Sequence, residues 1–348
     1  MRNSLLRTAV MTACALAATA ALADDAPQEK TTVGGKAFID FTNIDAKVNG
    51  TKQDSSGYGL DVKRFYVGID HTFDDVWAAD VTTDFNYISA DSETQVYIKK
   101  AYLQAKINDA FVLRAGSADL PWVPFVEGLY GYRYVENVMI DRTGFGTSAD
   151  WGLHASGKAA DGIFNYAVSV VNGAGYKKLT RSKSMDFEGR VSIVPVKGLT
   201  FAVGYRSGKL GLETESNPAE ETASRVDALV AYVNKSFRVG GEYFTAKNYS
   251  SSLVQQTAAT PVTDKADGYS VWGSYNFTPM AGVFARYEQV KPSKDLNSSL
   301  KNKYLNVGFE FVPRKNVNLA LVYKNTKLDS SASDAKTNEF GVWAQVAF

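Results

Sequence analysis

The chain has 348 residues with 38 basic and 37 acidic side chains, a formal net charge of +1, and 45% of its residues are hydrophobic. This near-neutral balance gives no basis for nucleic-acid binding or for a partner attracted by whole-molecule charge. The only cysteine, Cys14, lies in an N-terminal segment that we expect to be removed, so we expect no disulfide and no cysteine metal site.

The N-terminus predicts export from the cytoplasm. Arg2 and Arg7 precede an apolar run over residues 9–22, and a small-residue cleavage site ends at Ala23. This is the pattern of a secretory signal peptide. No later stretch approaches the ~20 continuous apolar residues that a spanning helix needs. We therefore expect a signal peptide over residues 1–23 and one exported domain over residues 24–348.

From residue 36 onward, apolar and polar residues alternate in segments of about ten residues, a pattern typical of membrane-spanning β-strands. The pattern predicts sixteen strands, at residues 36–43, 64–70, 76–87, 97–107, 111–117, 150–157, 164–172, 186–194, 199–206, 225–234, 237–247, 268–277, 282–290, 304–312, 317–326 and 338–348. Short turns alternate with longer polar loops between them, the long ones including residues 46–60 and 327–337. We therefore predict an all-β protein, a transmembrane antiparallel up-and-down β-barrel of about sixteen strands.

A soluble sandwich would give the same alternation, but three features favour the membrane. Aromatic residues cluster near strand ends, the signal peptide exports the chain, and the last strand ends on Phe348. Side chains of one parity should then meet lipid and those of the other should meet water. The predicted pore wall comprises the charged residues of inward parity, namely Arg64, Asp84, Lys100, Arg114, Arg190, Arg206, Arg238, Glu242, Arg286 and Glu310.

Residues 118–149 form the longest segment without two-residue periodicity, and long irregular segments in compact domains are usually functional. We predict that this third long loop folds into the barrel and narrows it. The alternative is an external loop packed over the rim. The candidate constriction residues are Asp119, Trp122, Glu127, Tyr130, Arg133, Glu136, Asp141 and Arg142.

The final strand, EFGVWAQVAF, resembles the C-terminal strand by which outer-membrane barrels are recognised for insertion, with Phe348 as its terminal aromatic residue. Residues 113–175, which include LRAGSADLP, DWGLHASG and YAVSVVNGAG, are similar to segments of the phosphate-selective porin O/P family. The resemblance implies a homotrimeric outer-membrane channel with an inward third loop. It also implies contacts with lipid, lipopolysaccharide and the barrel-assembly machinery.

The resemblance implies phosphate selection by constriction lysines and wall arginines. Between Ala118 and Asp150, however, the loop has five acidic residues, two arginines and no lysine. Because the charges that line a pore set its selectivity, we expect a mixed field of loop acids facing wall arginines. The main hypothesis is passive diffusion of small hydrophilic solutes. The alternatives are a phosphate- or anion-selective porin and a non-conducting structural or receptor barrel.

Only two histidines occur, and His154 with Ser156 is the only local pair that suggests a barrel hydrolase. The sequence contains no phosphate-binding glycine loop and no metal-ligand cluster. We therefore expect no catalytic residue, no cofactor and no metal. The basic cluster of Lys177, Lys178, Arg181 and Lys183 is predicted to be a solvated external loop, with binding of lipopolysaccharide phosphates or collection of anions as the alternative.

Overall fold

The structure is a computed structural model that describes residues 29–88, 93–216, 221–249, 263–331 and 333–348, with the backbone alone for residues 86–88 and 93. The predicted signal peptide lies outside these ranges. Sixteen long strands make up most of the described chain. They are β1 (Lys30–Val48), β2 (Gly57–Thr72), β3 (Trp77–Ile88), β4 (Glu93–Asn108), β5 (Phe111–Asp119), β6 (Ala149–Ala159), β7 (Phe164–Val171), β8 (Asp186–Val196), β9 (Leu199–Gly208), β10 (Ala223–Val233), β11 (Phe237–Lys247), β12 (Lys265–Thr278), β13 (Ala281–Lys291), β14 (Lys301–Arg314), β15 (Val317–Asp329) and β16 (Asp334–Ala347).

Each strand pairs antiparallel with its neighbour in sequence, and β16 pairs back onto β1 from Lys36↔Ala347 to Val48↔Ala335. The sheet therefore closes into a sixteen-stranded barrel without a free edge. The predicted fold class and strand number are confirmed.

Several strands extend further toward the long-loop end than the sequence predicted. β1 continues to Val48, pairs there with the two-residue strand Thr51–Lys52, and is followed by β2 at Gly57. β16 already begins at Asp334. The predicted long loops over residues 46–60 and 327–337 are therefore wrong in their bounds, because polar residues occupy both faces of these strand ends and hide the alternation.

The outer face of the barrel is apolar. Apolar side chains such as Phe41, Val271 and Leu321 are about half exposed, at 54%, 50% and 48%. An exposed apolar band of this extent around a closed sheet is the surface that faces hydrocarbon. No helix in the described ranges has the length and apolar character needed to cross a membrane.

The C-terminal residue contributes to closure. Phe348 and Gly35 exchange two backbone hydrogen bonds, of 3.0 and 2.9 Å. The ring of Phe348 covers Gly35 so closely that a Cβ there would lie 2.2 Å from its Cζ. Glycine at this position therefore leaves room for the terminal ring on the outer wall, where Phe348 remains 68% exposed.

The lipid-facing assignment predicts a depth-dependent cost for an outward charge. Val271 lies in the middle of β12 and Thr245 lies near the long-loop end of β11, both on the outer face. We expect Val271→Arg to destabilise the barrel in lipid vesicles by about 2–4 kcal/mol, and Thr245→Arg by about 0–1 kcal/mol. Denaturant titration of folding into vesicles measures both, and equal small costs would contradict a membrane-spanning wall.

Candidate functional site

The third long loop, residues 120–148, lies inside the barrel and not over its rim. We call it the constriction loop. It contains the helix α1 (Val123–Tyr130) and one further turn, α2 (Met139–Arg142). Pro124 lies in the first turn of α1, where its missing N–H costs nothing, and Gly131 ends the helix in a left-handed conformation with φ of 85°. These local signals make the segment helical, so it cannot continue the sheet.

One side of the constriction loop packs against the inner wall formed by β9 to β16. The ring of Tyr132 stacks on Phe284 with centroids 4.1 Å apart, and Phe145 packs against Phe244 at 4.7 Å. The buried cluster also contains inward residues Ala202, Leu229, Ala231, Trp272, Val322 and Trp343. The expectation that every inward side chain meets water is therefore wrong on this half of the wall, because the loop covers it with apolar surface.

Gly204 leaves space for Trp122, the first residue that anchors the constriction loop to the wall. Trp122 is fully buried, and a Cβ at Gly204 on β9 would lie 2.6 Å from its Cε3. The indole therefore reaches the wall only because that position has no side chain. The backbone N–H of Trp122 donates a 3.2 Å hydrogen bond to the carboxylate of Glu188, which fixes the entry of the loop.

Charged side chains hold the same side of the loop. Arg286 on β13 lies 3.0 Å from Glu288 and donates a 2.8 Å hydrogen bond to the carbonyl oxygen of Asn137. Arg142 of the loop donates to Glu288 at 2.7 Å. Because breaking one member of a buried ion pair leaves the other charge unpaired, such pairs fix the position of the loop even where their net contribution to stability is small.

The structure changes the role of several predicted pore-wall residues. Arg206, Glu242 and Arg286 have the predicted inward parity, but they are buried beneath loop segments and do not line water. Arg190 and Arg238 are half-buried and donate to the carbonyl oxygens of Pro121 and Leu129 at 2.8 and 2.9 Å. Arg190, Arg238 and Arg286 therefore anchor the constriction loop, whereas Arg206 donates to Gly173 and Asp186 outside it.

Three of the predicted constriction residues also face the wall and not the passage. Trp122 and Tyr130 are buried, and the Arg142 side chain is only 10% exposed. Of the remaining wall residues, Asp84 is buried behind Arg64. Arg114 and Glu310 bind neighbouring side chains. Arg114 donates to Gln104, and Glu310 accepts a hydrogen bond from the hydroxyl of Tyr134.

The open part of the lumen lies between the other side of the loop and the wall formed by β1 to β4. Three cavities of about 310, 280 and 260 Å³ occur there, and Arg133 lines all three. The predicted residues Glu127, Arg133, Glu136 and Asp141 of the loop line these cavities, as do Asp119 at the end of β5 and Arg64 and Lys100 of the wall. We call this space the passage.

Two β-bulges add cations to the passage that strict alternation does not predict. In β2 the register shifts so that Phe38 pairs with Arg64 and Ile39 pairs with Val62, which leaves Lys63 as an extra residue. A bulge places two consecutive side chains against one partner residue. Both Lys63 and Arg64 consequently line the passage.

A second bulge occurs in β4. Thr82 pairs with Lys100 and Thr83 pairs with Ile98, so Lys99 is the extra residue. Lys99 and Lys100 both line the passage, and the Lys99 ammonium lies 4.8 Å from the ring centroid of Tyr66. The signal that could have revealed both bulges is a pair of adjacent basic residues in a spanning strand, since one of them would otherwise face lipid.

The charge around the passage is mixed but net positive. Its lining includes nine basic and six acidic side chains, a formal charge of +3. The acids are largely paired, Asp119 with Lys100 at 2.7 Å and Glu127 with Arg133 at 2.5 Å. The basic lining is Lys36, Lys63, Arg64, Lys99, Lys100, Arg133, Lys177, Lys178 and Lys324.

Two of these lysines stand out because they line the same cavity and neither forms an ion pair within the described ranges. They are Lys36 on β1 and Lys99 on β4. The passage therefore has loop acids facing a basic wall, but β1, β2 and β4 supply four lysines and only one of the predicted arginines, Arg64. The wall thus provides the lysines that the constriction loop lacks.

Two ionisable side chains in loops near the passage have shifted pKa values. Burial opposes the charge of Glu136, but Lys324, Arg286 and Arg142 lower its pKa to about 2, so it remains ionised at neutral pH. Burial, followed by repulsion from Arg64, lowers the pKa of Lys177. Lys177 was predicted to lie in a solvated external loop, whereas the structure places its ammonium 4.8 Å from the ring centroid of Tyr97 at the passage.

His154 does not pair with Ser156. Its Nδ1 lies 2.8 Å from the hydroxyl of Ser169 on the neighbouring strand, and Nε2 lies 3.3 Å from the carbonyl oxygen of Gly116. Both ring nitrogens are thus engaged by wall groups, in contacts that Ser156 does not share. Among the described residues, no cluster of metal-ligating side chains occurs.

A closed sixteen-stranded barrel with an apolar outer face, an inward third loop and a charged passage is the architecture of a bacterial outer-membrane porin. The family model described as phosphate-selective porin O and P matches residues 32–125. This match confirms the family resemblance, and it lies mostly upstream of residues 113–175, sharing only residues 113–125 with that segment.

Solved structures with the same fold are porins and channels of low sequence identity. The outer-membrane channel DcaP of Acinetobacter baumannii has a TM-score of 0.67 and 16% identity, covering 94% of this chain and 100% of that one. The anion-selective porin of Comamonas acidovorans has a TM-score of 0.67 and 12% identity, covering 92% and 100%. OmpF of Salmonella typhi, in complex with daunomycin, has a TM-score of 0.65 and 13% identity, covering 94% and 99%.

No curated protein sequence matches the chain. The family match points to a channel rather than an enzyme.

The close fit of Trp122 against Gly204 predicts that a single methyl group loosens the constriction loop. Gly204→Ala should strain this contact by about 1–3 kcal/mol, so that single-channel current becomes larger or noisier as the loop leaves the wall. The matched control is Gly128→Ala in α1, where a Cβ meets nothing within 4 Å. Planar-bilayer recording compares the two, and indistinguishable current traces would contradict anchoring by this contact.

Proposed function

We propose that the mature barrel, residues 24–348, is an outer-membrane porin for passive diffusion of small hydrophilic solutes and ions. The observation that carries this proposal is the passage around Arg133, which the constriction loop narrows but which retains cavities of about 260–310 Å³ between loop and wall. Ordered charges along a narrow aqueous path select solutes by size and by sign. The residues proposed to set the constriction are Asp119, Glu127, Arg133, Glu136 and Asp141, opposite Arg64 and Lys100.

A second candidate is preference for anions, and a specific observation favours it. Lys36 and Lys99 lie in one cavity without an ion-pair partner among the described residues, and Lys63, Arg64 and Lys100 extend the positive wall. An anion that enters gains this attraction without displacing a carboxylate. The matching family is named for phosphate selectivity, and one structural neighbour is an anion-selective porin.

Removing the two lysines tests the anion preference. We expect Lys36→Gln with Lys99→Gln to shift the zero-current potential under a salt gradient toward cation preference and to weaken block by inorganic phosphate. The control, Lys158→Gln with Lys235→Gln, removes the same charge at the short-turn rim, and its zero-current potential should be that of the parent protein.

The same recordings separate the remaining possibilities. Weak selectivity unaffected by the lysine variant supports a general diffusion pore, and an absence of conductance supports a structural or receptor barrel. Phosphate block lost in the lysine variant alone supports anion selection.

We also propose a homotrimer that lies in outer-membrane lipid and is inserted by the barrel-assembly machinery. OmpT of Vibrio cholerae, described in a trimer form, shares the fold with a TM-score of 0.60 at 14% identity, covering 92% of this chain and 99% of that one. Phe348 supports the insertion proposal, since its ring is exposed on the outer wall at the chain end. Crosslinking in detergent and cellular assembly of a chain lacking Phe348 test these two proposals.

A further inference from the structure

The outer face of the barrel carries a row of five lysines near the long-loop end. In the strand register, Lys47 of β1 pairs with Lys336 of β16, Lys336 pairs with Lys327 of β15, and Lys327 pairs with Lys303 of β14. Lys52, in the short strand after β1, pairs with Lys47. We call these five residues the lysine row.

All five side chains point away from the lumen. Lys324 on β15 is buried inside the barrel against Glu136, so Lys327, three positions later, has the opposite parity. Residues directly paired across an antiparallel sheet share a face, and the rest of the row therefore points outward as well. The lysine row is distinct from the passage.

Neighbouring strands lie about 4.8 Å apart, so the row places ammonium groups side by side across adjacent strands. Like charges directly opposite each other destabilise a sheet unless an opposite charge lies near them. Three carboxylates share this face, Asp45, Asp329 and Asp334, and they leave it positive. Asp45 pairs with Lys47 at 3.1 Å, while Asp329 lies 2.9 Å from Lys327 and 3.7 Å from Lys303.

The depth of the lysine row in the membrane can be inferred from the outward residues that lie nearer the middle of the same strands. Four positions from Lys336 along β16, Phe340 pairs with Tyr323 of β15, and two positions further Val342 pairs with Leu321. The outer face thus changes from aliphatic to aromatic to lysine toward the long-loop end. Four residues span about 13 Å along a strand, or about 10 Å along the membrane normal for a strand tilted by about 40°. If the aromatic pair lies at the hydrocarbon boundary, the lysines lie among the lipid headgroups.

We propose that the lysine row binds the phosphate groups of phosphorylated glycolipid in the outer leaflet. A lipid phosphate at this depth lies beside the row because its own acyl chains lie against the apolar band below. Ammonium groups pair with phosphate directly, so this contact needs no bridging divalent cation. The inference depends on the membrane orientation of the barrel and does not depend on conduction through it.

The test uses the mature protein in detergent with diphosphorylated lipid A as probe, and binding is measured by native mass spectrometry in the presence of EDTA. The variant is Lys303→Gln, Lys327→Gln, Lys336→Gln. We expect its affinity to fall by on the order of 100-fold, since each surface lysine contributes about a factor of five. Lys158→Gln, Lys235→Gln, Lys315→Gln removes the same charge at the short-turn end and should bind as the parent does.

Two further measurements isolate the cause. Arginine at the same three positions of the lysine row keeps the charge and should retain binding. The heat-modifiable electrophoretic mobility of all variants shows that each barrel has folded. The proposal is overturned if lipid A binding falls equally in the lysine-row variant and in the short-turn variant, or if it falls in neither. Displacement of lipid A by millimolar inorganic phosphate would show a site for free anions instead, and a change in oligomeric state with unchanged lipid A binding would assign the row to a subunit contact.

Discussion

Every backbone N–H and C=O group within the hydrocarbon must find its partner inside the protein, and this constraint determines the rest of the structure. A sheet meets it only by closing, as β16 does on β1 over the register from Lys36↔Ala347 to Val48↔Ala335. Closure separates side chains into a lipid-facing and a lumen-facing set. It also fixes the width of the lumen through the number of strands, so a sixteen-stranded barrel encloses more space than wall side chains alone can fill.

The constriction loop fills that space unequally. It covers the inner wall from β9 to β16 with an aromatic surface and leaves β1 to β4 open. Burial of Trp122, Tyr130 and Phe145 supplies the attraction. Ion pairs such as Arg142 with Glu288 add directional contacts that allow one position of the loop, and the open side retains the charges that meet solute.

The sequence identified the strands and the inward loop because both depend on local patterns. Alternation at residues 237–247 matches the bounds of β11, and the irregular segment 118–149 matches the constriction loop within two residues at each end. The packing of that loop could not be predicted in the same way. The contact of Trp122 with Gly204 joins residues far apart in the chain, and nothing near Gly204 in sequence indicates its partner. Inward arginines therefore looked like pore lining, although several serve as anchors.

Lys63 and Lys99 show a second limit of prediction from the alternating pattern. Strict alternation turns Arg64 and Lys100 inward and would turn the adjacent Lys63 and Lys99 toward lipid. A bulge resets parity by one residue, so Lys63 and Lys99 join them at the passage. Each bulge thus adds a cation to the lumen without changing the number of strands, and it removes a lysine from hydrocarbon. Both bulges lie opposite the open side of the constriction loop, so the two added cations belong to the part of the wall that the loop leaves uncovered.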